Sequence, residues 1–195
     1  MLLPIIHITL ITSLMFLDYY LTLKGFRLYK EGYSKHVEAE SYELNPIFMK
    51  SISSNKYNLI HLISVVFIAV LLAVVYFLST SQKLYFNIGT YDLLIGMLVS
   101  MFAFINSKHL FNLMIFKEIK KNPSILSGKI MQSYEYSIKT SIAQALTTSF
   151  VLFFVFVFSP SYFTFGFFLG PLVIALKMKK WGKKRDNNKE IKIKS

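Results

Sequence analysis

The sequence predicts an all-α fold: a polytopic membrane protein built as a five-transmembrane-helix bundle. Three observations carry this. Charged residues make up 16% of the chain and hydrophobic ones 54%, where a soluble domain would carry about a quarter charged. Apolar runs of about 20 residues, the length that crosses a bilayer as helix, recur along it. Basic residues sort to one side of those runs, as the positive-inside rule requires.

The first span is 2–23, apolar except for a few hydroxyls, His7 and Asp18. No basic residue precedes it and Lys24 follows it. A cleaved signal peptide has the opposite arrangement, so an uncleaved helix with its N-terminus outside is expected. The second span, 57–79, is about 34 Å long at helical rise, and its 65–78 core has no polar atom except the Tyr76 hydroxyl. The third, 92–116, is apolar but for Ser100 only over 93–105, before Asn106, Lys108, His109 and Asn112. The fourth is 140–158. The fifth, 162–176, is short and needs flanking lysines that snorkel.

Charge bookkeeping supports the third span. With five spans, the inner loop 24–56 carries six basic residues, the second inner loop five, and the C-terminal end nine. Lys83 alone lies outside and Lys108 alone within a span. Removing the third span would put the basic end outside. The chain therefore reads as a transmembrane domain, 1–178, and a basic cytoplasmic tail, 179–195, disordered or lying on the inner leaflet.

Net charge is +12, with 20 of the 22 basic residues lysine. The lysines flank spans and follow no groove-reading motif, so the partners implied are membrane lipids, with anionic head groups at the basic tail, and no nucleic acid. The absence of cysteine excludes disulfides and thiolate ligands.

The loop 24–56 ends in Glu43-Leu-Asn-Pro46. Asn45 is an N-cap and Pro46 a first helical residue, which predicts a short helix over 46–51. Tyr19, Tyr20, Tyr29, Tyr33, Tyr42 and Tyr57 read as an inner aromatic belt. Gly166-x-x-x-Gly170 would let another helix approach closely, within the chain or in a dimer.

A charged group in the membrane costs about 2.5–3.5 kcal/mol on insertion scales and needs a partner. Measured from the nearest basic flank, Asp18 lies about 9 Å deep, His61 about 7–8 Å, His109 about 12 Å, and Ser141 and Gln144 about 3–8 Å. Asp18 and Thr22 share a helix face, as do Asn106 and His109. Ser137, Ser141, Gln144 and Thr148 form one stripe. The expectation is that His61, His109, Asn106 and Gln144 meet Asp18 inside the bundle.

Such a cluster admits three roles. It can be polar glue between helices, drawing on Thr22, Asn45, Asn106, Ser141 and Gln144. Asp18, Glu43, His61 and His109 are a carboxylate and imidazole set suited to a divalent metal, or to acid–base catalysis, although no local ligand motif joins them. Asp and His are also proton relays, but His7 is nearly alone in the outer half. No serine sits in a nucleophile elbow.

Asp18-x-x-x-Thr22 followed by Glu43-x-Asn45-Pro46 resembles the signature of a family of small, uncharacterised bacterial and archaeal polytopic membrane proteins. The resemblance covers roughly residues 14–80. It implies that these residues act together and carries no established activity. It also implies a basic residue near the start of the second span, a place His61 fills, with a metal or proton role open to it.

The function expected is therefore that of a small multi-pass protein of the cell membrane acting as a partner or accessory subunit, with a membrane-protein partner or as a homo-oligomer. The alternatives are a metal-dependent hydrolase at the cytoplasmic interface, with Asp18, Glu43, His61 and His109 as candidate catalytic groups, and an ion- or proton-coupled carrier.

Overall fold

The computed structural model describes residues 2–40, 42–54, 56–81 and 88–194. The loop 82–87, expected outside and holding Lys83, lies beyond the described residues. Helix α1 (Leu2–Glu31) leads into strand β1 (Val37–Ala39), the short helix α2 (Met49–Ser53) and helix α3 (Leu59–Thr80). Helix α4 (Ile88–Lys121), strand β2 (Ile130–Gln132), helix α5 (Tyr134–Phe158) and helix α6 (Tyr162–Lys194) complete the chain. The fold is all-α, and five of the described helices, α1, α3, α4, α5 and α6, are long and apolar enough to cross a membrane.

The helices run past the ends expected from hydropathy. Helix α1 continues beyond residue 23 to Glu31, and α4 beyond 116 to Lys121. Lysine, arginine, glutamate and leucine are good helix formers, so charge ends the membrane span without ending the helix. The two extensions meet in a Lys120–Glu31 ion pair of 2.7 Å. Helix α5 starts at Tyr134 rather than 140, because Ser133 caps it by accepting from the Tyr136 N–H at 3.1 Å. Helix α6 runs through the segment expected as a disordered tail, to Lys194.

The long helices pack in the order α3, α1, α4, α6, α5, with α4 against α6 as the most extensive contact. That contact is built on glycine. A Cβ on Gly96 would collide with the Phe163 carbonyl oxygen, and one on Gly166 with that of Leu93. One on Gly170 would strike the Ser100 hydroxyl. The Gly166/Gly170 pair is thus used inside the chain, against α4, and not held open for a second copy. The half of the bundle that holds the start of α1 and the end of α3 is an apolar core of Ile11, Met15, Val65, Leu72, Ile95, Leu98 and Phe102 with the Tyr91 ring.

At the opposite end of the bundle the two connecting loops, α1–α3 and α4–α5, are clasped together. Strands β1 and β2 pair in parallel, Val37 opposite Ile130. Lys129 and Glu38 add an exposed ion pair. Glu40 Oε2 accepts from the Tyr134 N–H at 2.9 Å, and the Tyr134 hydroxyl donates to the Leu44 carbonyl at 2.9 Å. The clasp drives the chain after it, Tyr42–Asn45, down against the helices. Tyr42 packs with Phe26, Tyr29 and Phe116, and its hydroxyl closes over Gly25. The tyrosines expected as an interface belt are therefore largely packed on one another and on phenylalanines.

Candidate functional site

Asp18 and Thr22 stand one turn apart on α1, facing His109 on α4. Asp18 Oδ1 lies 3.2 Å from His109 Nε2, close enough for an ion pair although not aligned as a hydrogen bond. Thr22 Oγ1 donates to the Asp18 carbonyl at 2.8 Å and lies 3.2 Å from the same Nε2. Two oxygens facing one ring nitrogen fix the tautomer: Nε2 carries a proton. His109 Nδ1 and Asp18 Oδ1 are both buried without a hydrogen-bond partner among the described residues.

Glu43 joins them from the loop. Its Oε1 accepts from the Asn45 N–H at 2.7 Å, and its charge is felt by His109, Asp18 and Lys108. Burial, the largest influence, pushes its carboxyl above the ordinary carboxylate range, helped by Asp18 and opposed by the Asn45 hydrogen bond, His109 and Lys108. The side chain of Asn45 accepts from the Ile47 N–H at 3.1 Å, the expected cap, but 46–48 form turns and the helix proper starts at Met49.

These groups line a cavity of about 160 Å³. Asp18, Thr22, Glu43, Lys108 and His109 make its polar wall, and Phe48, Phe104, Ile174 and Trp181 contribute to the apolar one. Trp181 is there because α6 runs past residue 176, where the fifth span is expected to end.

His61 lines the same cavity but does not meet Asp18 as expected. Its Nε2 donates to the Met15 carbonyl at 3.1 Å, which leaves Nδ1 to accept from the Tyr57 hydroxyl at 2.9 Å. The Tyr19 ring lies 4.5 Å away, centroid to centroid. With both nitrogens engaged, His61 offers no lone pair to an ion. Asn106 likewise turns from Asp18, donating to the Leu14 carbonyl at 3.0 Å. Gln144 is exposed on α5, and Ser141 receives a hydrogen bond from the Lys108 ammonium. Among the described residues no three His, Asp or Glu side chains gather to hold a metal ion. Of Asp18, Glu43, His61 and His109, it is His61 whose ring nitrogens are turned to other partners, Met15 and Tyr57.

Sequence reasoning counted Lys108 as a span residue and gave it no part in the site. The signal was present, since an ionisable group inside a span is by default a functional candidate. Tyr42, Asn112 and Trp181 were missed as lining residues; Asn112, three residues past His109 in the same span, carried a signal, whereas nothing in the local sequence marks Tyr42 or Trp181. No protein-family model, curated protein or solved structure matches the chain.

Proposed function

We propose that the chain is a multi-pass protein of the cell membrane, N-terminus outside and C-terminus cytoplasmic, that serves as a partner or accessory subunit. One observation carries the reading: the polar groups within the bundle are mostly spent on joining helices. His61 ties α3 to the α1 backbone, Asn106 ties α4 to α1, Asp18 and Thr22 meet His109, and Lys108 reaches Ser141 on α5. Thr22 directs its hydroxyl hydrogen at its own helix, a poor start for a nucleophile. A scaffold fits this arrangement better than a hydrolase does.

The carrier reading has one observation in its favour. Asp18, Glu43, Lys108 and His109 line one cavity. Between it and the His7–Tyr91 pair lies the apolar core around Ile11, Leu72 and Ile95, which offers a proton no relay.

The test is a pull-down in mild detergent with metal analysis of the same sample. The expected result is a membrane-protein partner at fixed stoichiometry, retained in His61→Ala and His109→Ala. Each variant loses stability by about 0.5–2 kcal/mol, the range of polar helix–helix contacts in membranes. A stoichiometric metal lost in Asp18→Ala would replace this reading with the hydrolase. Proteoliposome uptake abolished by Asp18→Asn would replace it with the carrier.

A further inference from the structure

A second cleft, of about 200 Å³, lies between α4 and α5 under the β1–β2 clasp. Lys108, Asn112, Tyr42 and Leu44 line both this cleft and the Asp18 cavity, so they form the wall between the two. The chemistry on the α5 side differs from that around Asp18. Its described lining holds one charged residue, Lys108, and no carboxylate. Ser137 and Thr140 direct their hydroxyl hydrogens at the Ser133 and Tyr136 carbonyls of their own helix, so beside Lys108 the donors are the Ser141 hydroxyl and the amides of Asn112, Gln132 and Gln144, with the Tyr29, Tyr33 and Tyr42 hydroxyls also in the lining.

The cleft is organised. Gln132, in β2, donates from Nε2 to Ser137 Oγ at 3.0 Å, which fixes the roof against the first turns of α5. Ser141 is buried and holds the Lys108 ammonium. Glu43 faces Lys108 only across the wall, and its burial favours the uncharged acid, which makes it a weak counter-ion. Gln144 is exposed at the cleft mouth. At about 100° per residue, Val151 and Val155 continue the face of Gln144 to within about 20°, and both are exposed. Past Thr148, whose hydroxyl is turned to the Gln144 carbonyl, an apolar face therefore leads away from this singly cationic pocket.

We infer that this cleft binds a phosphate-bearing anion through Lys108, Ser141 and the surrounding amide donors, with a phospholipid head group entering between α4 and α5 as the source that the apolar face of α5 favours. A lysine ammonium and several neutral donors suit the oxygens of a phosphodiester. The acyl chains would lie along Val151 and Val155.

Retention of phosphatidylglycerol by the full chain in detergent, followed by native mass spectrometry and thermal shift, tests this, with phosphatidylcholine and inorganic phosphate as parallel probes. Wild-type protein is expected to retain phosphatidylglycerol over phosphatidylcholine and to be stabilised by it. Lys108→Gln is expected to weaken retention at least about ten-fold, the effect of losing a charge-assisted bond. Lys121→Gln, an exposed lysine at the end of α4, should leave retention unchanged. A Lys108-dependent shift with inorganic phosphate and none with lipid would keep the cleft and assign it the soluble source. Equal retention by wild type and Lys108→Gln, equal loss in Lys121→Gln, or no binding of either probe to wild type overturns the inference. Should Lys108→Gln not fold, the Ser141→Ala/Gln144→Leu double variant carries the same expectation, and unchanged retention there overturns it equally.

Discussion

Glu43 lies in a connecting loop, yet its carboxyl is pressed among His109, Asp18 and Lys108. Its carboxyl is held above the ordinary value of 4.5, chiefly by burial. A carboxyl raised by folding binds its proton more tightly in the folded protein than in the unfolded one. Its contribution is therefore fully present at pH below 4.5 and is lost as pH rises through the elevated folded value. Glu43→Gln keeps an oxygen for the Asn45 N–H and cannot ionise. The variant should match wild type in thermal midpoint near pH 4 and exceed it increasingly toward pH 8. A gap that stays constant across that range would show that Glu43 is not the titrating group. The meeting of Asp18 with His109 was legible only in part, because helical rise put Asp18, His61 and His109 within about 5 Å of one depth and so offered Asp18 two imidazoles. The fate of His61 was not. Its partner is the Met15 carbonyl, and a backbone acceptor leaves no mark in a pattern of side chains.

The five helices were legible as elements, and their ends were not. Hydropathy marks where the membrane stops, whereas α1, α4 and α6 continue through residues whose helix propensity is as good outside lipid as within it. The extension of α6 matters to the site, because it carries Trp181 to the cavity wall. The glycine pair was legible too, but its partner was not: Gly166 and Gly170 face Leu93, Met97 and Ser100 on α4. In a bilayer this contact relies on close van der Waals approach, with no hydrophobic drive between helices. Gly166→Ala should force α4 and α6 apart and destabilise the protein by about 1–3 kcal/mol, the usual cost of overpacking. The elution volume in detergent should stay that of wild type. A change of oligomeric state with unchanged stability would mean that the pair serves a second copy after all.

For the whole molecule, the helix order α3, α1, α4, α6, α5 places the Asp18 cavity between α1, α4 and α6 and the phosphate cleft beyond it, between α4 and α5. Lys108 stands in the wall they share. Both sites lie toward the helix ends joined by the β1–β2 clasp, the ends that carry most of the basic residues. The clasp was beyond sequence reasoning: each strand has three residues, and their pairing joins segments about ninety residues apart. Which side of the membrane these ends face decides whether a ligand reaches the sites from the cytosol. The positive-inside rule assigns them to the cytoplasm. The chain has no cysteine, so single cysteines report topology without background. Thr80→Cys, at the outer end of α3, should react with a membrane-impermeant maleimide in intact cells. Lys121→Cys, at the opposite end of α4, should react only after the membrane is opened. The reverse pattern would turn the bundle over and place both sites at the outer surface. Labelling of both positions in intact cells would remove one span from the count.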